Sequence, residues 1–553
     1  MSATAASPTD ALRLTGPGAL RRVLGSEGGF AVVAELVPWA GELSDARGQQ
    51  PLRMAADLAG DPRITALSVT DNAGGHARLS PDAPGEALLA LGHDVIVHVA
   101  CRDRNRSGMQ SLGWDLLSRG LTNVLAISGD YPVGGYEGLA KPVFDIDSVT
   151  LLALLRELGS LAAATAATAA TAAADGHSDP DAHAFLLGCA VDPFKRLERD
   201  LVPQLLKLGL KRRAGADYAI TQVGYDAHRS EVLLRWMRRE GIAMPAIGNA
   251  YVLGPGVARA FHAGRIPGVV ITDALLALVE RESRGTDKGR ACFLELAAKQ
   301  LVVLRGLGYR GIYVSGHRDA GELRQVLELA DAHPAGDWRA LIRDVSFGQA
   351  GAFEPFELDH DGRPTDEPSR RWVASRTPAA RATARRRVDP FYKLNRVAHR
   401  RVFEPGTPRF RAWARVYGTV ERAHLSKPLH VLEQAVKVPL YDCRDCGDCS
   451  LPDIAYLCPE SHCQKNQRNG PCGGARDGMC EVPGHTCVWA DAYRRLKPYG
   501  EELTMLDRAP VVQDNALRRT SAWANTFLER DNHAKRRAGA GAGVPAGRME
   551  DGA

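Results

Sequence analysis

The sequence predicts an α/β architecture: a (β/α)8 TIM barrel, then a linker region, then a small cysteine-rich domain. Three observations carry that prediction. Eight short apolar runs recur between residues 30 and 316, separated by longer amphipathic stretches. The runs are nearly continuous rather than alternating, as in parallel strands covered on both faces. Eight of the 11 cysteines are crowded between Cys443 and Cys487.

The first four predicted strands are FAVVAEL (30–36), ITALSVT (64–70), DVIVHVA (94–100) and NVLAIS (123–128). AFLLGCA (184–190), DYAIT (217–221), PAIGNA (245–250) and GIYVSG (311–316) follow. Stretches between them, such as SGMQSLGWDLLSRGL and ERDLVPQLLKLGLKRRAGA, have helical periodicity and end near glycine, a common helix stop. Eight strands with helical crossovers fit a closed barrel. A doubly wound open sheet is the competitor, but it would carry a G-x-G-x-x-G turn after the first strand, and none is present.

The barrel is expected over residues 28–325, after an N-terminal extension (1–27). Residues 162–184 are an Ala/Thr-rich, low-complexity stretch that reads best as an inert insertion in the loop before the fifth strand. Residues 326–435 combine short helical patterns with Arg-rich pieces (RRWVASR, ARATARRRV) and read as a solvated linker. The cysteine-rich domain is expected over 436–535, and a disordered tail over 536–553.

Composition narrows the function classes. Apolar residues make up 45% and charged residues 24%, ordinary for a soluble globular enzyme. The formal charge of +5 gives no case for a nucleic-acid partner. No apolar run approaches the roughly 18–20 residues of a membrane span, so no membrane partner is expected. The N-terminus lacks the basic start and apolar core of a secretory signal, so a cytoplasmic location is expected. A homo-oligomer is compatible with the sequence and not readable from it.

In a barrel of this kind, chemistry sits at the C-terminal ends of the strands. Here those ends carry Glu35, Thr70-Asp71-Asn72, His98 with Cys101 to Arg106, Ser128-Gly129-Asp130-Tyr131, Thr221-Gln222 and His317-Arg318. Singly, each has an ordinary reading as a cap, a turn or a surface group. Six polar strand ends on one rim would desolvate one another unless a polar ligand lay between them. That convergence points to an active site.

The cysteines run Cys443-x2-Cys446-x2-Cys449-x8-Cys458-Pro459, then Cys463, Cys472, Cys480 and Cys487. In a reducing compartment such crowding indicates metal ligation rather than disulfides. Three cysteines in C-x2-C-x2-C spacing with a later Cys-Pro are ferredoxin-like and point to a [4Fe–4S] cluster. C-x2-C equally begins a tetrahedral zinc site, and His462 and His485 add nitrogen donors. Spacing leaves the metal and the ligand pairing open.

AELVPWAG, SVTDNAGG, HVACRDRNR, NVLAISGDYP and AGADYAITQ, in this order, resemble the methylenetetrahydrofolate reductase family over about residues 28–320. The resemblance implies FAD across the barrel rim and hydride transfer to 5,10-methylenetetrahydrofolate, giving 5-methyltetrahydrofolate for one-carbon and methionine metabolism. On this sequence the family's catalytic acid falls on Glu35, which would protonate N10 and open the substrate's imidazolidine ring. Asp130 matches the acid near flavin and pterin, and Gln222 the amide that binds folate. Thr70, His98, Gly129 and Lys211 match flavin-contacting positions, and Asp147 a ribose or phosphate-side contact.

Three departures stand out. Glu35 is kept without the family's neighbouring aromatics. Ser128-Gly129-Asp130 replaces Arg-Gly-Asp, leaving Arg102, Arg104 or Arg106 to supply the lost charge. Val223-Gly224-Tyr225 replaces consecutive Phe residues where the nicotinamide of NADH or NADPH stacks. The cysteine stretch resembles the C-terminal domain of members that take electrons by other routes, which implies an electron-donor protein as a partner beside the folate substrate. The alternative is a reductase or methyl-transfer enzyme for a related pterin, with electrons passing through an iron–sulfur domain. Retention of both Glu35 and Asp130 argues against methyl transfer. A zinc-finger nucleic-acid module would leave the barrel motifs unexplained.

Overall fold

The structure is a computed structural model that describes residues 15–172, 184–334 and 336–540. Its strands β1 (Ala31–Leu36), β2 (Ala66–Val69), β3 (Val95–Ala100) and β4 (Asn123–Ile127) pair in chain order. β5 (Leu186–Val191), β6 (Tyr218–Thr221), β7 (Ala246–Tyr251) and β8 (Gly311–Ser315) continue the sheet. All neighbours are parallel, and β8 closes on β1 with Ala31 opposite Gly311 and Ala34 opposite Val314. Each of the eight expected runs is a strand, and the fold is the expected (β/α)8 barrel.

Helices begin and end where the sequence supplies the chemistry. Asn105 caps Arg106–Ser118 by accepting from Gly108 N at 2.9 Å, and Asp319 caps Ala320–Ala332 by accepting from Glu322 N at 3.0 Å. Inside the barrel, Ala31, Val33, Ala66, Ile96, Leu125, Leu186, Tyr218, Ile220, Ile247 and Tyr313 form one cluster. Leu20 and Val23, from the short helix Ala19–Gly25, join that cluster. This helix lies in the stretch read as an N-terminal extension, whose residues 1–14 fall outside the described residues.

The chain divides into two compact units. One holds Met1–Ala374 with Pro471–Thr486, the other Ser375–Gly470 with Cys487–Ala553. The segment read as a linker, 326–435, is thus shared between the units, and 471–486 leaves the cysteine-rich stretch to pack in the barrel unit. The Arg-rich part is helical while its side chains stay largely exposed. Pro378–Arg386, Pro390–Ala398 and Pro408–Arg422 are helices with Pro at their first turn and Thr377, Asp389 and Thr407 as caps. Arg376 and Arg381 pair with buried Glu502 at 2.9 and 3.3 Å, and Phe410, Tyr417 and Phe527 form a core.

Three expectations need correction. The Ala/Thr stretch is not loop from its start: Ala162–Ala172 continues the helix Ser148–Ala172, because alanine extends an existing helix without a new nucleation cost. Residues 173–183 lie outside the described residues. Part of that same helix, Ser148–Ala166, has the length and composition of a membrane span, with hydropathy 1.4. Its apolar face is used for packing, since Val149, Leu151, Leu152, Leu155 and Leu158 are buried. The tail read as disordered is helical to Ala540, and 541–553 lie outside the described residues.

Candidate active site

The side-chain period of two along each strand decides what faces the barrel mouth. Val33, Ala66, Ile96, Ile220 and Ile247 point inward. Glu35, Ser68 with Thr70, His98, Gln222 and Asn249 therefore share that inward face, one or two steps nearer the C-terminal rim.

Glu35 is half-buried on β1 and accepts a hydrogen bond from the Tyr313 hydroxyl of β8 at 3.2 Å. Burial pushes its carboxyl from the usual 4.5 up to about 7, against the opposing pull of Tyr313. His98 of β3 is buried, with Nε2 2.9 Å from Ser68 Oγ and 3.5 Å from the Tyr313 hydroxyl. Burial lowers its pKa to about 4, so the ring is neutral near pH 7. Thr70 Oγ1 is buried at the end of β2 without a hydrogen-bond partner, an acceptor and donor left for a ligand. Neither Ser68 nor Tyr313 was anticipated from the sequence. A phenol within an aliphatic inward-facing run was the available signal, since a buried hydroxyl needs a partner.

Asp130 follows β4, and its Oδ2 accepts from Gly74 N at 2.8 Å. Arg102, buried to 2% exposure, holds the same loop by donating to Asp130 O and Asn72 O at 3.3 and 3.2 Å. Gly129 is required here. Its φ is 80°, and a Cβ would stand 2.9 Å from Ala100 Cβ. Gln222 Oε1 accepts from Val223 N at 2.8 Å. Tyr225 is buried, its hydroxyl donating to Tyr251 O at 2.8 Å.

Two expected flavin contacts are engaged elsewhere. Asp147 caps the helix Ser148–Ala172, accepting from Val149 N and Thr150 N, both at 3.1 Å. Lys211 donates to Ala190 O at 2.6 Å, and burial lowers its pKa to about 8. Of the arginines offered as replacements for the missing charge, Arg102 pairs with Asp103 at 2.6 Å and Arg106 with Asp145 at 3.1 Å. Arg104 reaches Ser80 Oγ at 3.5 Å. Of the positions expected to contact a flavin, Thr70, His98 and Gly129 lie at or near the C-terminal ends of β2, β3 and β4, whereas Asp147 and Lys211 hold bonds of their own.

In the second unit, Cys443, Cys446, Cys449 and Cys458 line one pocket with Lys437, Tyr441 and Arg468. Lys437 Nζ lies 3.8 Å from Cys449 Sγ and 3.0 Å from Glu433 Oε1. The other four predicted ligands are not in this pocket. Cys463 Sγ accepts from Gln467 N at 3.4 Å, and Cys472 and Cys480 belong to the barrel unit. Among the described residues no three His, Cys, Asp or Glu side chains converge to hold a metal ion.

A closed (β/α)8 barrel with polar groups gathered at its C-terminal mouth defines the class of barrel enzymes. Residues 44–257 match the model for "Methylenetetrahydrofolate reductase", and residues 423–515 the model for "Methylene-tetrahydrofolate reductase C terminal". Together they span more than half of the chain, which belongs to the methylenetetrahydrofolate reductase family and carries the C-terminal domain named for it. No curated protein matches. Among solved structures, an uncharacterized protein from Clostridium thermocellum that binds two copies of 5-methyl-5,6,7,8-tetrahydrofolic acid shares 12% identity at a TM-score of 0.37. The match covers 55% of this chain and 94% of that one. A putative lyase/mutase from Burkholderia cenocepacia shares 16% identity at a TM-score of 0.29, over 59% of this chain and 93% of that one. At such scores neither bears on substrate or reaction.

Proposed function

We propose that this chain reduces 5,10-methylenetetrahydrofolate to 5-methyltetrahydrofolate with FAD as hydride carrier, serving one-carbon and methionine metabolism. The observation that supports it best is Glu35, a carboxyl in the barrel mouth held near pH 7 by burial, with a phenol rather than a cation beside it. Opening the substrate's imidazolidine ring needs a proton at N10 and leaves a 5-iminium cation. An acid half-protonated at pH 7 can hold that proton and give it up on demand. The Tyr313 hydroxyl then donates to the carboxylate left behind. His98 stays neutral and adds no positive charge to repel the cation. Asp130 offers the negative charge that stabilises it, and Gln222 an amide to orient the pterin. FAD, when bound, would supply the hydride, with Thr70, His98 and Gly129 to hold it at the mouth; Lys211 would reach it with the N–H groups left beyond its bond to Ala190 O, and Asp147 while capping its helix through Val149 N and Thr150 N.

A second reading concerns the electron source: a redox protein acting through a [4Fe–4S] cluster instead of NAD(P)H. The four-cysteine pocket favours it. The C-x2-C-x2-C run with its later Cys458-Pro459 has ferredoxin-like spacing, which supports a cluster.

The proposal is tested by separating the half-reactions. Glu35→Gln is expected to slow folate reduction at least about a hundredfold while bound flavin is still reduced by its donor. Equal loss of both half-reactions would refute the acid assignment. A colourless protein that cannot be reconstituted with FAD would refute the flavin.

A further inference from the structure

Residues 471–486 sit in the middle of the cysteine-rich stretch yet belong to the barrel unit. Locally they form a hairpin-like finger, with bridges Arg476 to Met479 and Met479 to Thr486 and a bond from Cys480 N to His485 O at 2.9 Å. The barrel grips it by the backbone. Lys207 Nζ donates to Pro471 O at 3.0 Å, and Gln204 Nε2 to Cys472 O. Lys195 Nζ reaches Gly473 O and Ala475 O at 2.5 and 2.6 Å, and Asp200 Oδ2 accepts from Gly478 N at 2.9 Å. These four side chains are all at most 5% exposed. Charged groups buried that deeply need partners, so the docked finger is part of the barrel's own polar satisfaction.

The finger also touches both sides of the mouth. On one side, a Cβ at Gly268 would stand 2.8 Å from Gly473 O and 3.1 Å from Gln222 Nε2, so the finger, Gly268 and Gln222 pack without spare room. On the other, Glu481 Oε1 accepts from Tyr131 N at 2.9 Å. Tyr131 follows Asp130, whose own carboxylate accepts from Gly74 N at 2.8 Å.

We propose that residues 471–486 complete the barrel's reaction site and that Glu481 is a positioning residue, holding the Asp130 carboxylate in register through the Tyr131 N–H. The inference rests on the role proposed above for Asp130. It assigns to the cysteine-rich stretch a direct part in folate chemistry, separate from any metal.

The test uses the full-length, flavin-loaded protein. Glu481→Ala is expected to lower kcat for folate reduction roughly tenfold to a hundredfold, the penalty typical of a misplaced reacting group. KM for folate should change much less. Hydrogen exchange of the Gly129–Val133 backbone should speed up in the same variant. Glu481→Gln, whose amide oxygen can accept the same bond, should recover most of the rate. In combination with Asp130→Asn, Glu481→Ala should add little further loss. Full additivity of the two losses, or unchanged exchange in the loop, overturns the role of Glu481. Should Glu481→Ala not fold, Glu481→Asp, which withdraws the carboxylate by one methylene, is read in the same cycle. If Asp130→Asn alone leaves the reaction intact, the assignment of Asp130 fails first, and that of Glu481 with it.

Discussion

In the barrel mouth the nearest partner of Glu35 is the hydroxyl of Tyr313; in the cysteine pocket that of Cys449 is the ammonium of Lys437. Desolvation raises both half-buried acids, Glu35 to about 7 and Cys449 to about 12. The neighbours differ. Tyr313 can steady a carboxylate but carries no charge to force ionisation, so Glu35 keeps a transferable proton near neutrality. Lys437 opposes the effect of burial on Cys449, and buried Arg468 does the same for Cys446. Burial thus leaves the barrel mouth with a carboxyl able to move a proton, while the cysteine pocket sets cations beside thiols that burial keeps protonated.

The largest test of this contrast is to remove a sulfur. Cys449→Ser is expected to abolish binding of iron and acid-labile sulfide, while the barrel retains flavin and folate turnover with an artificial reductant. Zinc without iron in the unaltered protein would instead make the pocket a structural site. The next effect is on stability against pH. Because the folded-state pKa of Glu35 is raised from 4.5 to about 7, its favourable contribution is present below pH 4.5 and lost as pH rises through 7. Glu35→Gln should therefore gain on the order of 1–3 kcal/mol relative to the parent between pH 4 and pH 8, read by denaturant unfolding. Identical curves at both pH values would show that Glu35 titrates normally.

Gly129→Ala tests the backbone on which Asp130 depends. A side chain at φ 80° against Ala100 should cost about 1–2 kcal/mol and lower folate turnover without affecting metal content. The smallest effect belongs to Tyr313→Phe. Loss of the hydroxyl that lowers the Glu35 pKa should move the alkaline limb of the folate half-reaction upward by less than about one unit. A downward move would mean that Tyr313 favours the protonated acid.

By itself the sequence determined the eight strands, because near-continuous apolar runs between amphipathic helices leave few other ways to bury both faces of a sheet. It also placed Glu35, Thr70, His98 and Gln222 at strand ends on one rim, while which parity of each strand faces inward came from the packed core. What it could not determine were choices among competing partners. Asp147 reads by resemblance as a ribose or phosphate-side contact, and in the fold its carboxylate caps a helix. The eight cysteines read as metal ligands whose pairing spacing leaves open, and tertiary structure gathers Cys443, Cys446, Cys449 and Cys458 while sending Cys472 and Cys480 to the barrel unit. Glu481 carries no local signal at all. Its bond to Tyr131 joins residues 350 positions apart, and contacts of that range exist only once the chain has closed on itself.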